Sequence, residues 1–233
     1  MKIALLGAMP EEIEPILTKI GSYKTTTYAK NNYYEATYKG VELVIAYSKI
    51  GKVFSTLTAT TMIEHFGADI LLFSGVAGAI SKDLKVGDIV VATKLAQHDL
   101  DITAFGHPYG YVPEGSVYVE SDKELLLLAS KVAKELGVDI KEGIIATGDQ
   151  FVADEHRKDF VEKTFNADAL EMEGASVAVV CDAFGVPFFI LRSISDAADS
   201  DASFSFDEFL VSSANISATF VMSMVEKLGH KNL

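Results

Sequence analysis

The chain has 233 residues, a formal charge of −13, 49% hydrophobic and 23% charged residues and a single cysteine. That length can bury a sizeable core, in one large α/β domain or two small ones, and the composition excludes the disordered and fibrous classes. The acidity argues against a broad nucleic-acid surface, which needs clustered Lys and Arg, and against docking on anionic lipid membranes.

The opening "MKIALLGAMPEE" turns acidic directly after a short apolar run, so a buried strand at Lys2–Gly7 fits better than a signal peptide. No apolar run approaches the length needed to span a bilayer, and the expected location is the cytoplasm. A helix begins at Pro10, a favoured first helical position. Strand-like runs follow at Val41–Ser48, Ile70–Ser74, Asp88–Gln97, Gly143–Thr147 and Pro187–Ile194. Several are apolar without alternation, as strands covered on both faces are. A helix over Val53–Phe66 ends at Gly67, and "SDKE" at Ser121–Glu124 and "SFDE" at Ser205–Glu208 read as capping boxes opening two more. In "LEMEGASV" a strand gives way to a core helix that stops at Gly185–Pro187. With no linker or repeat, residues 1–233 are expected to form one domain. The alternation predicts an α/β layered sheet, whose ligands collect at strand ends.

The unusual residues lie at those ends. In "GAMPEEIE", Gly7 and Ala8 leave room near the backbone, and Glu11 and Glu12 fall in a helical first turn, where the dipole alone favours acids. "SGVAGAI", with Val76, Ala77 and Gly78, allows close backbone approach but lacks phosphate-loop spacing, as does "IGKV". For both, a structural turn and a ligand cradle remain open. Phe151 of "TGDQFV" suits a planar ring or the core. In "RSISDAAD", Asp196 beside Ser195 suits proton transfer or a turn cap. Glu171 and Glu173 flank Met172 in an apolar stretch, where unpartnered carboxylates are costly.

Other chemistries lack their residues. No metal-binding spacing appears, and His98, Asp99 and Asp101 read as a solvated loop. No nucleophile elbow appears, Cys181 reads as core, and Arg157 in "DEHRKD" reads as a solvated helix face. What remains, Glu12, Glu171, Glu173 and Asp196 with glycines and an aromatic, suits acid–base chemistry on a neutral, polyhydroxylated, ring-bearing substrate.

"GAMPEE", "SKIGKV", "SGVAGAI", "KVGDIV", "DITAFG", "TGDQF", "EMEGASVA", "RSISDAAD" and "SFDEFL" fall in one order along nearly the whole chain. In that order the chain resembles the 5′-methylthioadenosine/S-adenosylhomocysteine nucleosidases of the purine nucleoside phosphorylase/hydrolase superfamily. The resemblance implies a central mixed β-sheet flanked by α-helices, a homodimer, a small-molecule nucleoside substrate, and no cofactor or metal. It implies that Asp196, oriented by Ser195, protonates a departing adenine, and that Glu12, with Arg192 as neighbour, activates water. Glu173 would grip the ribose hydroxyls with Met172 along the sugar and Glu171 behind. Phe151 and the Val152 backbone would meet the base. Met9, Ile50 and Phe206 would line the 5′-substituent pocket, with Val76, Ala77, Gly78 and Ala198 completing the site. Ile102, Phe105 and Pro113 would reach in from a partner subunit. "YSKIGKV", "LFSGVAGA" and "QHDLDITAFGHP" are most similar to the branch that also cleaves 6-amino-6-deoxyfutalosine. A purine nucleoside phosphorylase and a non-catalytic nucleoside sensor are the alternatives; the presence of only two arginines, Arg157 and Arg192, weighs against a phosphate site.

Overall fold

Strands and helices alternate along the described residues, 1–199 and 201–230, of the computed structural model. At the centre, β1 (Lys2–Gly7) runs parallel to β4 (Val41–Tyr47) and β5 (Ile70–Ala79). β10 (Phe188–Asp196) pairs parallel with β5 and antiparallel with β6 (Ile89–Gln97). β6 continues parallel to β8 (Ile140–Thr147), and β8 to the short β9 (Ala169–Glu171). β9 then pairs antiparallel with β5, so β5, β10, β6, β8 and β9 close a ring within one mixed sheet. The open side ends in the hairpin of β2 (Lys24–Tyr28) and β3 (Asn31–Tyr38), and β7 (Tyr118–Glu120) lies on β6.

Helices cover both faces, which is why the central strands are continuously apolar. On one face α1 (Pro10–Ile20), α3 (Lys123–Leu136) and α6 (Ala202–His230) bury Ile13, Ile16, Leu128, Val132, Val221 and Val225 against the sheet. On the other, α2 (Lys52–Glu64) and α5 (Gly174–Phe184) contribute Ala59, Met62, Val177 and Cys181. Burial pushes the Cys181 thiol up to about 12, so it is a core residue and not a thiolate nucleophile. α4 (Glu155–Phe165) seals a smaller cluster through Val161 and Phe165. The C-terminal ends of parallel β1, β5 and β10 emerge at one edge of the sheet, where ligands collect in α/β folds.

Several local expectations are corrected. "SGVAGAI" is no turn: β5 runs through it to Ala79 because β9 and β10 supply partners on both sides. α3 is capped by Asp122, whose carboxylate accepts the Leu125 N–H, and not by Ser121, which is buried. α6 begins at Ala202, so Ser205 lies inside it and caps nothing. By length and composition Ala202–Gly229 could cross a bilayer, contrary to the expectation for this chain. Here half of its most apolar window is buried, Ser213 donates to the Ile194 carbonyl, and Ser217 accepts the Ser74 hydroxyl, as befits a core helix.

Candidate active site

Glu12 enters from the first turn of α1, where β1 ends, and is buried. Its Oε2 accepts the N–H groups of Ala8 (2.5 Å) and Met9 (3.2 Å), and its Oε1 that of Val76 on β5 (2.9 Å). Burial raises its pKa above the ordinary carboxylate value, opposed by Arg192 and these three donors. Room for the carboxylate comes from Gly75, where a Cβ would sit 2.6 Å from Oε1.

Asp196, the last residue of β10, is positioned on both oxygens. Oδ2 accepts the Ser195 hydroxyl and Oδ1 the Ala198 N–H, each at 2.9 Å. Ala198 is buried with φ +51°, a left-handed conformation that turns its N–H back on the aspartate. A Cβ at Gly78 would lie 2.7 Å from Oδ1, so this glycine too makes space for an acid. Burial raises the Asp196 pKa, which helps the group carry a proton to a substrate.

Glu171 and Glu173 separate in role despite their proximity. Glu171 accepts Arg192 Nη2 at 2.6 Å, the Thr147 hydroxyl, and the N–H groups of Glu173 and Gly174. Its charge is answered within the protein. Among the described residues Glu173 accepts one hydrogen bond, from Gly51 N–H at 2.9 Å, and burial with Glu171 nearby pushes it up to about 8. It has acceptor capacity to spare.

Glu12, Glu173, Asp196 and Ser195 face one partly enclosed cleft at the strand ends. Met9, Ile50, Val76, Ala77, Gly78, Phe151, Val152, Glu171, Met172 and Phe206 line it as expected, whereas Ala198 does not and acts only through its N–H on Asp196. Phe151 and Phe206 meet edge-to-face, centroids 5.7 Å apart. Ala8, Gln150 and Leu170 also line it; each sits beside or inside a motif read from the sequence, but none carried a chemical signal of its own.

Arg192 is not in the lining. It is 1% exposed, stacked over the Phe73 ring and committed to Glu171, so it supports the floor from beneath and makes no hydrogen bond to Glu12. The loop read as solvated is also corrected at His98, which is buried and bonded through Nδ1 to Arg157 Nη2 at 2.8 Å. Arg157 therefore belongs to a packed junction and not to a solvated face. Burial and that guanidinium hold His98 down to about 4, a neutral imidazole. Ile102, Phe105 and Pro113 lie outside the lining, and Phe105 is 82% exposed. Thr147 was missed: its hydroxyl bonds Glu171 and accepts the Ala175 N–H, linking β8, β9 and α5. Among the described residues no cluster of metal-ligating side chains is present.

Four buried carboxylates, Glu12, Glu171, Glu173 and Asp196, thus line one mostly apolar cleft at the strand ends of an α/β sheet. The sequence matches the Phosphorylase superfamily over residues 2–226, and the chain belongs to that family. It is 59% identical over 228 residues to the aminodeoxyfutalosine nucleosidase of Campylobacter jejuni, covering 98% of this chain and 100% of that one. It is 39% identical over 230 residues to the 5′-methylthioadenosine/S-adenosylhomocysteine nucleosidase of Anoxybacillus flavithermus, covering 98% and 99%. A solved mutant of the corresponding Helicobacter pylori nucleosidase, with 5′-methylthioadenosine in its active site, superimposes with a TM-score of 0.96 at 52% identity, covering 97% and 98%.

Proposed function

We propose that the chain is an N-glycosyl hydrolase that cleaves 5′-methylthioadenosine, S-adenosylhomocysteine and 6-amino-6-deoxyfutalosine, releasing adenine. The observation that carries this reading is the arrangement of Glu12, Glu173 and Asp196 around one cleft, each free to act on a ligand. The names of the relatives support the substrates. Glu173 accepts the ribose hydroxyls, which replace the hydrogen bonds that burial denies it, and so orients the sugar. As the N9–C1′ bond breaks, its electron pair leaves with adenine, which takes a proton from Asp196. Water adds to C1′ and gives its proton to Glu12, whose orientation three backbone donors fix. The products are adenine and a 5-substituted ribose.

The nucleophile is water and not phosphate. Both arginines of the chain are committed, Arg192 to Glu171 and Arg157 to His98, and neither lines the cleft. A phosphate dianion at C1′ would find no guanidinium in the cleft to receive it. The active species is a homodimer. Phe105, Val53, Phe54 and Leu57 are exposed apolar side chains, and such surface is usually covered by a partner. Incubation with each of the three nucleosides tests the assignment: adenine appears from all three, and a chain that releases it from none is not this enzyme.

A further inference from the structure

Three residues from separate segments, none of them in the cleft lining, form a closed circuit that the proposed chemistry does not use. Lys52 Nζ lies 2.6 Å from Asp99 Oδ1. Asp99 Oδ2 accepts the Asp149 N–H at 2.8 Å, and Asp149 Oδ1 accepts the Lys52 N–H at 2.7 Å. The circuit ties the start of α2, the loop after β6 and the loop after β8. Two of those segments supply cleft residues, Ile50 just before it and Phe151 just after. Lys52 and Asp99 are mostly withdrawn from solvent, their side chains 19% and 23% exposed, so the ion pair is only partly screened.

Its output is Gly51. That residue has φ +100°, a Cβ on it would lie 2.9 Å from Asp149 Oδ1, and Asp149 accepts the next N–H along the chain, that of Lys52, so the circuit anchors the backbone one peptide beyond the Gly51 N–H. The same N–H is the one hydrogen-bond donor found on Glu173, at 2.9 Å. We propose that Lys52, Asp99 and Asp149 are positioning residues for the sugar-binding carboxylate, holding Gly51 N–H on Glu173 Oε1 so that the other oxygen faces the substrate hydroxyls. The inference rests on the reading of Glu173 as the ribose ligand. It predicts a specificity effect confined to the sugar, since the donor that the circuit fixes touches Glu173 and not the base.

The test compares 5′-methylthioadenosine with its 2′,3′-dideoxy analogue, and adenine as a competitive inhibitor, across Lys52→Gln, Asp149→Ala and Lys52→Arg. Asp149 is exposed, so its truncation leaves folding largely untouched even where Lys52→Gln does not. Both Lys52→Gln and Asp149→Ala should raise KM for the hydroxylated substrate about tenfold, the scale of one misplaced hydrogen bond. KM for the dideoxy analogue and inhibition by adenine should change by less than about twofold, and Lys52→Arg should restore much of the loss. Unchanged preference for the hydroxylated substrate, or equal weakening of adenine, would overturn the proposal, the second showing a general loop-holding role. Glu173→Gln separates the layers. If it abolishes the sugar preference while the circuit variants keep it, only the circuit proposal fails; if it too keeps the preference, the reading of Glu173 fails and takes the circuit with it.

Discussion

The floor of the cleft and its walls bury carboxylates by opposite rules. On the floor, Glu171 is 6% exposed and saturated by Arg192, Thr147 and two backbone N–H groups. Facing the cleft, Glu173 is 5% exposed yet has one donor, while Glu12 and Asp196 are held by backbone and a hydroxyl with no cation in hydrogen-bond contact. Equal burial therefore does not mean equal function. A buried charge answered by the protein is structural, and one left under-answered is available to a substrate.

The largest effect that can break this contrast is catalytic. Asp196→Asn and Glu12→Gln should each lower kcat by about 10²–10⁴-fold, the usual contribution of a general acid or base, with the thermal stability of Asp196→Asn close to that of the parent and that of Glu12→Gln lower, because its amide NH₂ meets a backbone N–H that the carboxylate accepted. Steady-state kinetics alongside a melting curve checks it, and near-normal turnover in a folded Asp196→Asn protein would remove the acid from the scheme. The floor should respond in the reverse sense. Glu171→Ala strands the Arg192 guanidinium in the core and should cost about 3–5 kcal/mol in denaturant titration, as breaking a buried pair does. A Glu171→Ala protein as stable as the parent would mean that the floor and the walls are not distinct.

A smaller effect sharpens the same comparison through pH. The folded-state pKa of Glu173, about 8, lies above its ordinary 4.5, so the folded protein holds a proton that the unfolded chain releases. Its contribution to stability is full below 4.5 and is lost as pH rises through about 8. Unfolding free energies measured from pH 5 to 9 should decline across that window, and Glu173→Gln should flatten the decline. An identical slope in the variant would place the titrating group elsewhere.

The residues at the strand ends were legible because their chemistry is out of place in an apolar context. Glu12, Glu173 and Asp196 stand out against "IALLG", "GASVAVV" and "FFIL", and the structure gathers them at one cleft. What could not be read depends on partners distant in sequence. Gly75 and Gly78 look like turn residues until β9 and β10 flank them, when they prove to be spaces for Glu12 and Asp196. Arg192 reads as a neighbour of Glu12 until its guanidinium is found on Glu171, outside the cleft. The hairpin β2–β3 escaped because "KTTTY" is polar and largely exposed, with no hydrophobic alternation to read. The Lys52 circuit escaped because three charged residues in three loops carry no signal until the loops meet.

The central claim is that wall carboxylates direct water, and no bound anion, onto C1′ of a nucleoside. Turnover of 5′-methylthioadenosine in phosphate-free H₂¹⁸O, followed by mass spectrometry of both products, tests it most directly. The account predicts unlabelled adenine and free 5-methylthioribose carrying one ¹⁸O from solvent, at a rate unaffected by added phosphate. A requirement for phosphate, with the sugar appearing as its 1-phosphate, would contradict it.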